Sequence, residues 1–352
     1  MIPVTKPYLP DQNKINKYMT GIYSNGILTN RGPLVRQLET RLEEYLGVKN
    51  VILVANGTLA LQIAYRALGI SKHVITTPFS FVATASSLEW EGIDFDFADI
   101  CGKSFNLDPL RVLEHLKPET EAIVPTHVYG NPCATGLFND IAKEKGLKVI
   151  YDAAHAFGTK TDGESILNQG DISTLSFHAT KLFHTVEGGA IVTNDNDVAD
   201  KVRLLINFGI SGPDKTNGVG INAKVSEVHA AFGLALLDDI DKIIANRKDS
   251  IEEYKECLRD LVQFQELAHN TDVAPSYMPV VLDSSCRTSN VVEKLSSQEI
   301  LTRRYFRPSL CSVYGKQEKS ISKSISERVI CLPLYYDVPV EKVCKKFIKA
   351  LR

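Results

Sequence analysis

Through the first 245 residues, short apolar stretches of β type alternate with helical stretches, and that alternation admits few folds. The strand-like runs lie at 51–55, 74–77, 123–128, 149–151, 174–177 and 190–193. Together with the helical stretches between them they predict an α/β fold: a mostly parallel sheet covered by helices. One helix opens at Pro33, a residue suited to a first turn, and repeats Leu34, Leu38, Leu42 and Tyr45 along one face. Another is expected after Ser226, a good N-cap, with Val228, Ala231, Leu234 and Leu237 as its apolar face. The charged stretch IANRKDSIEEYKE follows, and a boundary near residue 245 separates a large unit, 1–245, from a smaller α+β unit, 246–352. The smaller unit should close with a strand at 329–332 and a helix carrying Val340, Val343, Cys344, Phe347, Ile348 and Leu351.

Charge and cysteine content narrow the function. Forty Lys and Arg against 42 Asp and Glu leave a net charge of −2, so no global field draws the chain to nucleic acid or to an anionic membrane. No 18-residue apolar run is present, and the N-terminus MIPVTKPYLPDQNK lacks the pattern of a secretory signal, so a cytoplasmic protein is expected. Seven cysteines, an odd number with no CxxC pair, read as reduced thiols. The eight histidines show no HExxH or clustered ligand spacing, so no metal site is expected.

Three motifs carry the chemistry. In VILVANGTLALQIAYRAL an apolar strand runs through Asn56, Gly57 and Thr58 straight into a helix. A helix start of this kind offers unpaired N–H groups and about half a positive charge to an anion such as phosphate, although a plain capped turn has the same appearance. In KVIYDAAHAFG the strand delivers Asp152 to its carboxyl end, where it either caps the next helix or pairs with a protonated ring nitrogen. In GDISTLSFHATKLFHTVEGGAIVT, Lys181 sits among Phe177, His178, Ala179, Thr180, Leu182 and Phe183, a partly apolar setting that lowers an amine's pKa and favours Schiff-base chemistry. Ser176 and Thr180 add hydroxyl donors beside it. An anion site, a strand-end carboxylate and, 29 residues later, a desolvated lysine meet the three needs of pyridoxal 5'-phosphate (PLP): phosphate, pyridinium and aldehyde. Either Phe79 or Phe81 of TTPFSFVATA is available to cover the ring, with core packing as the plainer role.

On these motifs the sequence resembles the DegT/DnrJ/EryC1/StrS family of fold-type-I PLP-dependent sugar aminotransferases. The similarity runs in order through GILTNRGPLVRQLE, NGTLAL, TTPFSFVATA, VYGNP, YDAAHAFG, SFHATKLFHTVEGG, NFGISGP, GINAKVSEVHAAFGLALL, TRRYFRP and VICLPLYYDVP. The resemblance implies a seven-stranded-type sheet, with Lys181 as the lysine that holds PLP and Asp152 at the pyridine nitrogen. It further implies His155 near the ring hydroxyl, Gly57, Thr58 and Ser176 at the phosphate, and Phe81 over the ring. Asn222 of GINAK would reach the phosphate of a partner subunit, making the enzyme a homodimer. L-glutamate would donate the amino group, leaving pyridoxamine phosphate (PMP), which then aminates a nucleotide-linked keto sugar. The NFGISGP stretch is most similar to family members acting on dTDP-4-keto-6-deoxy-D-glucose, a reaction of surface-polysaccharide synthesis, whereas RRYF also occurs in members that aminate C3. Arg303, Arg304 and Tyr305 are candidates for contacting the diphosphate, with a solvated arginine pair as the alternative. His184 reads as a structural histidine.

Two rival readings are weaker. A nicotinamide-dependent epimerase or dehydratase needs GxGxxG after an early strand, and none is present. A non-catalytic PLP or nucleotide-sugar binding protein is disfavoured by the intact Lys181 and Asp152.

Overall fold

The computed structural model describes residues 1–352 and builds its larger layer on a seven-stranded sheet. Its strands are β1 (Asn50–Val54), β2 (His73–Thr76), β3 (Asp94–Phe97), β4 (Thr120–Val124), β5 (Lys148–Asp152), β6 (Ile172–Ser176) and β7 (Gly189–Thr193). The order across the sheet is β1, β7, β6, β5, β4, β2, β3. All neighbours are parallel except β7, which runs antiparallel to both β1 and β6. Alternate residues of β1 enter different cores: Val51 and Leu53 face one, Ile52 and Val54 the other. The sheet is thus buried on both faces, as helix-covered parallel sheets are.

Two differences from the sequence pattern have local causes. Strand β3 reads DFDF; Phe95 and Phe97 are buried while Asp94 is exposed, so this edge strand has the alternation of a one-sided strand and shows no apolar run. The run expected at 123–128 ends at Val124, because Pro125 has no N–H to donate and its carbonyl instead accepts from Asp152 N at 2.9 Å.

Helix α1 (Gln12–Asn25) and helix α2 (Pro33–Leu46) cover one face together with the helix Glu227–Leu237. Pro33 is the first residue of α2, and Leu34, Leu38 and Leu42 are buried. Gly32 caps α2 without a side chain, and the carboxylate of buried Glu227 takes that role, accepting from Leu34 N at 2.7 Å and Val35 N at 3.0 Å. A Cβ at Gly32 would stand 2.6 Å from Glu227 Cδ, so the cap requires glycine there. Ser226 caps its helix through His229 N.

The second layer is a three-stranded antiparallel sheet of residues Gln263–Phe264, Met278–Val281 and Val329–Leu332, with helices Thr288–Ser297 and Val340–Leu351 packed on it. The first residues of the chain join this layer: Ile2 N donates to Glu299 O and Leu301 N to Ile2 O. The helix Ile240–Leu258 runs through residue 245 and serves both cores, with Ile243 in that of the large sheet and Tyr254 and Leu258 in that of the small one. No helix is long and apolar enough to cross a membrane, and all seven cysteines are free thiols.

Candidate active site

The carboxyl ends of β1, β5 and β6 converge, and each supplies one part of the site. After β1, Asn56 is the N-cap of helix α3 (Gly57–Leu68), its side chain accepting from Leu59 N at 2.8 Å. Gly57 and Thr58 therefore occupy the first turn, with their N–H groups free for an anion. A Cβ on Gly57 would meet Ser176 Cβ at 3.0 Å, which places the helix start against the end of β6. Gly189 closes the same cradle from behind; a Cβ there would lie 2.7 Å from Asn56 C and 2.8 Å from Gly57 N. The second glycine of the EGG in the lysine motif thus has a steric role at the helix start.

At the end of β5, Asp152 is buried, and its carboxylate forms no salt bridge; its partners are a hydroxyl and a backbone N–H. Its Oδ2 accepts from Thr84 Oγ1 at 2.6 Å and its Oδ1 from Ala154 N at 3.2 Å. Behind Thr84 stand Ser80, at 2.7 Å, and Thr126, whose hydroxyl donates to Ser80 at 3.0 Å. Thr84 gives its only hydroxyl proton to Asp152, so Ser80 must donate to Thr84 and accept from Thr126. All three hydroxyls are buried and all point their protons toward Asp152. Burial nevertheless holds the Asp152 pKa above the usual carboxylate range, against the lowering effects of Thr84, Ala154 N–H and Lys181.

Lys181 lies on the loop after β6, anchored by the buried rings of Phe177, Phe183 and Phe157, the latter two stacked at 4.6 Å. Its Nζ donates to Tyr277 Oη at 3.2 Å. Desolvation lowers its pKa, offset in part by Asp152 and Tyr305. His155 is buried, and burial first and Lys181 second drive its pKa well down, so the ring is neutral. Its Nδ1 accepts from Tyr129 N at 3.3 Å, leaving Nε2 to carry the proton.

Phe79 and Phe81 separate clearly. Phe79 is core, edge-on to Phe105, Tyr129 and Phe306, while Phe81 is 52 % exposed at the start of helix α4 (Val82–Trp90). Asn222 is exposed and precedes Ala223, whose carbonyl accepts from Ala55 N at 2.8 Å. The two arginines do not converge on one anion. Arg304 spends its Nη2 on the carbonyls of Ser326 and Glu327, at the end of the helix Ser320–Arg328, and Arg303 lies over the Tyr305 ring at 5.7 Å. Tyr305 itself packs edge-on to Tyr277 at 5.4 Å and so reaches the lysine. His184 has both ring nitrogens engaged by backbone, Nε2 with Tyr8 O and Nδ1 with Val186 N, and is structural. Tyr277 and Thr126 carry no motif of their own, and Ser80 and Thr84, though they lie in TTPFSFVATA, do not stand out there beside the two phenylalanines.

An N–H cradle backed by two glycines, a buried carboxylate without a cation and a desolvated amine fit PLP's phosphate, ring nitrogen and carbonyl in turn. The model of the DegT/DnrJ/EryC1/StrS aminotransferase family matches residues 10–351. The chain belongs to this family. Members are PLP-dependent aminotransferases that cycle through PMP, and so is this enzyme. A dTDP-4-amino-4,6-dideoxy-D-glucose transaminase from Shigella dysenteriae is 42% identical over 95% of this chain and 94% of the relative. One of the same name from Escherichia coli is 37% identical over 98% and 96%. A GDP-perosamine synthase from Vibrio cholerae is 31% identical over 98% and 97%. Among solved structures, DesI in the presence of its TDP-sugar product superposes with a TM-score of 0.94 at 33% identity, covering 100% of this chain and 93% of DesI. The α/β fold with a mostly parallel sheet, expected from the alternation of runs, is the fold these structures share.

Proposed function

We propose that the enzyme transfers the amino group of L-glutamate to C4 of dTDP-4-keto-6-deoxy-D-glucose, giving dTDP-4-amino-4,6-dideoxy-D-glucose for surface-polysaccharide synthesis. The observation that carries the choice of sugar is the match, over nearly the whole of each chain, to two relatives named for that product. PLP supplies the carbonyl that captures the amine and the ring that takes up electrons. The residues of the chain then have distinct tasks. Gly57, Thr58 and Ser176 hold the phosphate, Phe81 covers the ring, and His155, a neutral donor at Nε2, faces the ring hydroxyl. Asp152 keeps the ring nitrogen protonated, and the three hydroxyls hold its carboxylate in place. Lys181 Nζ, its pKa lowered by desolvation, would move a proton between the donor's α-carbon and the cofactor and, in the second half-reaction, between the cofactor and the sugar carbon. Tyr277 holds that Nζ.

A homodimer completes the site in this reading, with Asn222 reaching the partner's phosphate. Its segment is rich in exposed apolar side chains: Phe208, Ile210, Val219 and Ile221 are 48 %, 44 %, 90 % and 43 % exposed, as an uncovered interface would be. Seven free thiols suit a reducing compartment, and we place the reaction in the cytoplasm. Amination at C3 is the second reading, favoured by the RRYF stretch, whose Tyr305 lies beside Tyr277.

The test is an absorbance spectrum of the purified enzyme, then L-glutamate, then the keto sugar, with NMR of the product. Bleaching of the cofactor band and an amine at C4 are expected. An amine at C3 moves the assignment to the second reading, and no bleaching with glutamate removes it as the donor.

A further inference from the structure

Arg247 is a buried cation without a counterion. It is 3 % exposed, its Nε is sealed from solvent with no hydrogen-bond partner, and no carboxylate lies within ion-pair distance of it. Neither η nitrogen is hydrogen-bonded or sealed in the same way, so what little accessible surface the residue keeps includes the outer edge of its guanidinium. Buried charges in folded proteins are paired, by protein or by a ligand. Burial pushes even this guanidinium down to about 10.

Its position follows from its helix. On the inward face of Ile240–Leu258, Ile243 shares a core with Ala274, and Tyr254 shares one with Met278. Arg247 lies between them on that face and so faces residues 275–277. The last of these is Tyr277, whose hydroxyl accepts from Lys181 Nζ at 3.2 Å, and the charge of Arg247 is felt at Tyr277 and at His184. The unpaired guanidinium therefore lies near enough to act electrostatically on the tyrosine that holds the reactive amine. A carboxylate is the small planar anion that a single enclosed guanidinium can pair bidentately.

We propose that Arg247 anchors the amino donor, its planar fork taking one carboxylate of an α-amino acid and holding the donor's amine at Lys181. This rests on the aminotransferase reading with an amino-acid donor. The test uses cofactor-loaded wild type, Arg247→Met and Arg247→Lys, with stopped-flow bleaching measured against donor concentration. The apparent Kd for L-glutamate should rise about tenfold or more in Arg247→Met, the fold-change of losing a charge-assisted hydrogen bond, and less in Arg247→Lys. A second readout needs no turnover: glutarate should raise the melting temperature of wild type and not of Arg247→Met. Loss of equal size with L-glutamine and L-glutamate assigns the α-carboxylate, and loss confined to L-glutamate assigns the γ-carboxylate. Loading Arg247→Met directly with PMP bypasses the donor, and a loss as large in the sugar direction overturns the proposal. So does an unchanged donor Kd in Arg247→Met while wild type bleaches normally. Wild type that no α-amino acid bleaches overturns the donor reading itself, and this proposal with it.

Discussion

Thr84→Val tests the hydroxyl chain behind Asp152. Valine keeps the shape and removes the 2.6 Å hydrogen bond to Asp152 Oδ2, leaving Ser80 with a donor aimed at a methyl group. A hydrogen bond to a charged group is worth about 1.5–3 kcal/mol and a neutral one about 1 kcal/mol, so the loss should total about 2–4 kcal/mol when Asp152 is ionised. When Asp152 is protonated only the neutral terms remain, and the loss should fall to about 1–2 kcal/mol. The sign of the pH dependence follows from the raised pKa of Asp152: the folded state holds this proton more tightly than the unfolded chain, so the stability it contributes is lost as pH rises through the folded value. Removing the Thr84 donor raises that value further and carries the decline to higher pH. Urea unfolding of cofactor-free protein across a pH series, at one fixed protein concentration so that association cancels, should show a deficit that grows as pH rises through the folded Asp152 value. A deficit below about 1 kcal/mol throughout, or one that shrinks as pH rises, would refute the proton direction assigned to the chain.

Three further outcomes are expected. Gly189→Ala puts a methyl group 2.7 Å from the Asn56–Gly57 peptide, so cofactor retention through dialysis should fall while the far-UV spectrum is kept; full retention would show that the cradle yields. Mixed dimers of Lys181→Ala and Asn222→Ala subunits should recover up to about a quarter of wild-type activity, since one of their sites is intact when Asn222 acts across the interface; no recovery on mixing would place Asn222 in its own subunit's site. Arg304→Ala should cost about 1–2 kcal/mol of stability through the orphaned carbonyls of Ser326 and Glu327 and leave the KM for the keto sugar within twofold; a KM rise above tenfold would return Arg304 to the diphosphate.

The residues legible in the sequence are those whose chemistry is local. Gly57 and Thr58 follow a strand and open a helix, and Asp152 ends a strand; Lys181 sits in apolar company too unusual for a surface lysine. Each announces itself within about ten residues. Tyr277 and Arg247 do not, because their meaning comes from the small layer folding back over the large one, with Tyr277 96 positions from Lys181. Arg247 was hidden further by its setting in IANRKDSIEEYKE, where the charged neighbours are exposed and this one position faces inward. The arginine pair shows the opposite limit: adjacency in an extended segment sends Arg303 and Arg304 to different sides, which their place in the sequence does not reveal. Strand β3 escaped because half of its four residues are aspartates.

The helix Ile240–Leu258 has a mechanical consequence. With Ile243 rooted in one core and Tyr254 in the other, it is a single stiff strut through both layers, about 28 Å long at 1.5 Å per residue. A hinge opening the cleft between the layers would have to break it near its middle, beside Arg247. The two layers should therefore not hinge apart independently, and heating should melt both in one calorimetric peak.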